Sequence, residues 1–101
     1  MATKAETKYQ RSLIKEIEHL IPGCVVLKNN PAEIQGIPDL LVLYRSFWAM
    51  LEVKDHLESP FQPNQEFYIG MFNDMSYSAM ICPQNEEVVL DELQSAFGIN
   101  R

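Results

Sequence analysis

Residues 36–54 read Gly36-Ile37-Pro38-Asp39-Leu40-Leu41-Val42-Leu43-Tyr44-Arg45-Ser46-Phe47-Trp48-Ala49-Met50-Leu51-Glu52-Val53-Lys54. Two apolar runs, Asp39 to Tyr44 and Phe47 to Lys54, are separated only by Arg45-Ser46, so the spacing predicts an antiparallel hairpin. If Tyr44 pairs with Phe47, opposite residues have numbers that add to 91, which sets Asp39 against Glu52. Directly opposed Cβ atoms stand only ~4.5–5.5 Å apart, and like charges there repel unless something positive sits between them. A divalent cation is the simplest such partner. Carboxylate oxygens without thiolate or imidazole are hard ligands that select Mg²⁺, with Mn²⁺ as a substitute, over Zn²⁺. Strand alternation puts Lys54 on the side of Glu52, with Val53 facing the other way. Arg-Ser is not the Asn-Gly or Asp-Gly pair typical of a two-residue hairpin, and a one-residue slip turns Asp39 away.

On the N-terminal side, Leu13, Ile14, Ile17, Leu20 and Ile21 recur at helical spacing, which predicts a helix from about Thr3 to Leu20, stopped by Pro22-Gly23. Cys24 to Leu27 is a short apolar strand, ended by the turn-rich Asn29-Asn30-Pro31. On the C-terminal side, Phe67, Ile69, Met71 and Phe72 predict a partly buried helix over about Pro63 to Asn73, with Pro63 in its first turn. Tyr77 to Cys82 is a fourth strand, and Asn85 caps a last amphipathic helix stopped by Gly98. The expected order is α-β-β-β-α-β-α, a small α/β fold with a mixed four-stranded sheet flanked by helices.

A chain of 101 residues, 47% hydrophobic and 22% charged, has the size and composition of one folded domain, residues 1–101. Cys24 and Cys82 lie far apart in apolar runs and read as reduced thiols, which fits a cytoplasmic compartment. Residues 2–12 are polar and no run approaches the ~18 apolar residues of a membrane span, so a soluble, non-secreted protein is expected. The net charge of −6 argues against binding of polyanions by charge alone. It is unevenly spread: residues 1–54 carry seven basic and six acidic groups, whereas residues 55–101 carry Arg101 against eight acids.

Pro38-Asp39 followed by Glu52-Val53-Lys54, with Gly36-Ile37-Pro38-Asp39-Leu40-Leu41-Val42 around the first carboxylate, resembles the motif of the PD-(D/E)xK nuclease superfamily. The sequence resembles the small viral-type VRR-NUC and Holliday-junction-resolvase-like branches, over roughly residues 6–93. The resemblance implies a restriction-endonuclease-like core and Mg²⁺-dependent hydrolysis of phosphodiester bonds in DNA. Carried onto this sequence, it makes Asp39 and Glu52 metal ligands, adds the carbonyl of Val53, and gives Lys54 the role of stabilising the nucleophile or the developing charge. It also places a glutamine near the start of the second helix, where Gln65 stands, with Gln62 as the substitute. The family further supplies a glutamate from its first helix, and Glu6, Glu16 and Glu18 are available. At about 100° per residue Glu6 lies only about 20° from Ile17, the centre of the apolar face, whereas Glu16 and Glu18 lie about 100° to either side. Glu6 is therefore the expected active-site carboxylate.

Plainer readings stand beside these. An exposed Glu-x-Lys pair contributes little, and a glutamine in the first turn of a helix is ordinary. Lys4, Lys8, Arg11 and Lys15 read as a solvated face of helix one, with contact to the DNA backbone as the lesser reading. His19 and His56 have no Cys or His at ligand spacing, although His56 and Asp55 can line the cleft edge. Tyr44, Phe47 and Trp48 read as core or dimer contacts ahead of base stacking. The expected function is an endonuclease acting on branched DNA as a homodimer, since one small chain offers little surface to a duplex. A site-specific, homing-type endonuclease and a non-catalytic DNA-binding or scaffold domain of the same fold are the alternatives.

Overall fold

A computed structural model describes residues 3–99. Helix α1 spans Lys4–Leu20 and starts at Thr3, whose hydroxyl accepts a hydrogen bond from the Glu6 N–H at 3.0 Å. Strand β1 (Val25–Lys28) is followed by the hairpin of β2 (Leu40–Tyr44) and β3 (Phe47–Val53), then α2 (Gln65–Met75), β4 (Tyr77–Ile81) and α3 (Glu86–Ala96). The sheet order is β1-β2-β3-β4. The first three strands are antiparallel neighbours, while β4 runs parallel to β3, so the sheet is mixed and open. A parallel pair needs a crossover, and α2 supplies it.

The hairpin keeps the register expected from a two-residue turn, from Tyr44↔Phe47 to Leu40↔Leu51. Arg45 takes the left-handed φ of 54° that such a turn demands, and its guanidinium lies 5.2 Å from the centroid of the Tyr44 ring. The Tyr44 and Phe47 rings both stack on Phe97, each at 5.9 Å, which fixes the tip of the hairpin to the end of α3.

Alternation along the strands sends Leu40, Val42, Ala49, Leu51, Val53 and Ile81 to one face, where Leu13, Ile17 and Ile21 from α1 and Val89, Leu90, Leu93 and Phe97 from α3 complete one core. The other face carries Trp48, Met50 and Glu52. Phe72 of α2 meets Trp48 edge to face at 6.1 Å.

Helix α2 is partly buried, as expected, through Ile69, Met71 and Phe72, although Phe67 is 65% exposed. Two local expectations are corrected. The helix begins at Gln65, after Asn64 at φ 72°, so Pro63 lies outside the first turn. Asn85 occupies the N-cap position of α3, as expected, but makes no side-chain capping bond: its side chain accepts from Cys82 N–H (2.8 Å) and donates to Met80 C=O (3.0 Å), closing the turn after β4. Cys24 and Cys82 are both free thiols. Among the described residues no helix is long and apolar enough to cross a membrane.

Candidate active site

The Pro38-Asp39 segment enters β2 under tight backbone control. Asn29, just past β1, donates its N–H to Asp39 C=O (2.8 Å) and its side-chain amide to Pro38 C=O (2.9 Å). Gly36 adopts φ 91°, and a Cβ there would stand 2.6 Å from Asn64 Cβ and 2.7 Å from Pro63 O. Only glycine fits that approach, which seals the loop before β2 against the segment that leads into α2. Asp39 Oδ2 then accepts the Val53 N–H at 2.9 Å, tying the first carboxylate to the end of β3.

The ladder extended by one pair sets Asp39 against Glu52, and the two carboxyl groups interact directly. Glu52 is 2% exposed and Lys54 4%. Gln65, the first residue of α2, links them: its Nε2 donates to Glu52 Oε2 (3.0 Å), and its Oε1 accepts from Lys54 Nζ (3.0 Å) and from the Gln62 N–H (2.7 Å). Those two donors to Oε1 fix which way the Gln65 amide points. The Lys54 ammonium also stands 3.7 Å from Glu52 Oε2 and 5.9 Å from the centroid of Phe61.

Burial, and then the charge of Asp39, push the Glu52 carboxyl up to about 8, against the pull of Lys54. Burial also raises Asp39, partly offset by the Val53 N–H, and raises Glu6. Glu52 Oε1 is buried with no hydrogen-bond partner. With both carboxylates ionised no described protein group donates to it, and a proton held by the pair, a water in the recess or a cation would satisfy it.

A recess of about 100 Å³ opens over this cluster, lined by Glu6, Pro31, Gly36, Ile37, Asp39, Glu52, Lys54, Gln62 and Gln65. It therefore gathers all five expected catalytic side chains, Glu6, Asp39, Glu52, Lys54 and Gln65. Glu16 lies against α3 in a separate recess, and Glu18 is exposed. Glu6 reaches the recess without joining the carboxylate pair: among the described residues no three His, Cys, Asp or Glu side chains converge as a metal-binding group. His56 is half exposed and pairs with Asp55 and Glu58, each at 3.6 Å, beside the recess and outside its lining.

Two opposed carboxylates, one with an orphaned buried oxygen, form a hard donor pair that fits a divalent cation of the Mg²⁺ type. Asn29 was missed by sequence reasoning, which took Asn29-Asn30-Pro31 only as a turn. Its signal was position, one residue beyond the strand that pairs with β2. No protein-family model matches the chain, and no curated protein matches it.

Proposed function

We propose that this chain is a metal-dependent DNA endonuclease of the PD-(D/E)xK type, with a restriction-endonuclease-like core, cutting branched DNA such as a four-way junction as a homodimer. The observation that carries this reading is the Asp39–Glu52 pair, with Glu52 buried and joined through Gln65 to Lys54, in one recess. Mg²⁺ or Mn²⁺ would be held by Asp39 and Glu52 with the Val53 carbonyl, and Glu6, which lines the recess apart from the pair, is the further carboxylate the resemblance supplies. When bound, the ion supplies Lewis-acid polarisation of the scissile phosphate and makes water easier to deprotonate.

The protein's own groups do the rest. Lys54, desolvated and held by Gln65, presents a fixed positive charge to the phosphoryl oxygens as charge builds on them. Water attacks phosphorus and loses its proton to solvent; the P–O ester bond breaks, and the departing sugar oxygen takes a proton from solvent, so the proton count is unchanged. Asn29 and Val53 fix the backbone and carboxylate of Asp39, so the two oxygen donors need little rearrangement.

Branched DNA is favoured because recognition by shape needs few base contacts and, among the described residues, no element beyond the core is added to the fold for reading bases. A homodimer follows from the small surface of one chain against interfaces that commonly bury ~1,000 Å² or more. Light scattering at micromolar concentration, with and without DNA, is expected to report twice the mass of one chain.

The absence of a third carboxylate beside the pair favours, as a second reading, a non-catalytic DNA-binding domain on the same scaffold. One panel separates the two: supercoiled plasmid, linear duplex and a synthetic four-way junction, each with Mg²⁺, Mn²⁺ or EDTA. Cutting of the junction with metal supports the nuclease, and cutting of plasmid and duplex at one site supports the homing-type alternative. No cutting in any lane supports the binding domain.

A further inference from the structure

Lys4, Lys8, Arg11 and Lys15 recur along α1 at four- and three-residue steps. At 3.6 residues per turn they fall within an arc of about 60° and extend about 16 Å along the helix. All four are exposed, and among the described residues no carboxylate lies within ion-pair distance of any of them. A shallow groove is lined by Lys4, Thr7, Lys8 and Arg11. In a chain of net charge −6 this is a concentration of unneutralised cations: the other described ones are Lys28, Arg45 and the buried Lys54. The acids of α3 gather elsewhere, with Glu16, around a separate recess.

We propose that this stripe is a second nucleic-acid contact surface, which grips the phosphate backbone of an arm of the substrate other than the one in the recess. The choice of nucleic acid rests on the nuclease reading. Glu6 faces the recess from the same helix turns but lies roughly opposite the stripe, and a helix with its side chains is about 10–12 Å across. A straight duplex seated in the recess leads away from the stripe, whereas a bent or branched one sends a second arm past the N-terminal half of α1. Regularly spaced cations without base-reading partners suit phosphates, which position a substrate without specifying its sequence. A lipid surface suits the helix less well, because Leu13 and Ile17, its apolar side, are buried in the core.

The test is binding of a fluorescent four-way junction to the full chain in EDTA, where no cutting can contribute, over a series of salt concentrations. Each phosphate contact adds about 0.9 to the slope of log affinity against log salt. The double change Lys8→Glu with Arg11→Glu is expected to lower that slope by about 2 and to weaken binding about 10- to 100-fold, with an unchanged melting temperature. Lys8→Gln with Arg11→Gln should fall between it and the wild type. Lys28→Glu with Arg45→Glu alters the net charge equally at other exposed sites and is expected to lose less than 3-fold.

An unchanged slope in the Lys8/Arg11 variant, or an equal loss in the Lys28/Arg45 variant, overturns the proposal. So does wild-type protein that ignores the junction yet sediments with phosphatidylserine vesicles through Lys8 and Arg11. Stripe-dependent binding by a protein that cuts nothing with Mg²⁺ sinks the nuclease reading and leaves this surface standing.

Discussion

The two ends of the β2–β3 hairpin are built on one ladder and serve opposite ends. At the tip, Tyr44 and Phe47 oppose each other and both stack on Phe97, so every close contact lowers the energy of the fold. Five residues along β3, the same ladder brings half-buried Asp39 against buried Glu52, two acids beside one cation, with a Glu52 oxygen left unpartnered. The tip is what a sequence selected for stability looks like. The base retains an electrostatic cost that a proton held by the pair or a bound cation would relieve, and such costs concentrate at functional sites.

The contrast can be broken at either end. The largest effect is expected at the base: Glu52→Ala should lower Mg²⁺-dependent cleavage about 1000-fold, equivalent to about 4 kcal/mol of lost transition-state stabilisation, in a gel assay on the preferred substrate. At the tip, Phe97→Ala should destabilise the fold by about 3–4 kcal/mol in urea unfolding, while cleavage by the remaining folded protein at low temperature stays within about 2-fold. If Phe97→Ala removed cleavage from a folded protein, the two ends would not be separable.

Gln65→Ala sharpens the comparison, because Gln65 lines the recess and bonds to both Glu52 and Lys54. Cleavage is expected to fall by about 10- to 100-fold, the range seen when a group that orients a metal ligand is lost.

The smallest effect concerns pH. Glu52 titrates near 8 in the fold against 4.5 as its ordinary value, so the folded protein binds the extra proton between these limits. Without metal, stability is therefore full below about pH 4.5, declines as pH rises through that window and levels off above about 8. Glu52→Gln should flatten the decline and add about 1–2 kcal/mol at pH 8 in EDTA, read from melting temperatures. A wild-type curve that rises over the same window would contradict the assigned burial of the pair.

Much of this was legible in the sequence, for reasons specific to each element. The order of elements followed from apolar periodicity and from the Pro and Gly stops, and the register followed from the shortness of Arg45-Ser46. Residue type pointed away from a tight turn there; Arg45 accepts a left-handed φ and covers its stem with the Tyr44 ring. Glu6 was separable from Glu16 and Glu18 because a helix has one inward face. What sequence could not supply were contacts between loops. Gly36 against Pro63 and Asn64, Asn29 under Pro38, and the Gln65 bridge depend on how segments far apart in the chain meet. The exposure of Phe67 was hidden for a related cause: the side of α2 that packs is set by Ile69, Met71 and Phe72, and the main core lies across the sheet.

The central claim is that Asp39 and Glu52 form a cation site. Titration calorimetry with Mn²⁺ at pH 8 on the full chain, beside the Glu52→Gln variant, tests it most directly. The account predicts binding by the wild type, release of protons as the metal displaces the one shared by the pair, and at least a 100-fold weaker affinity in the variant. Equal affinity in both proteins, or no binding by the wild type, would contradict it.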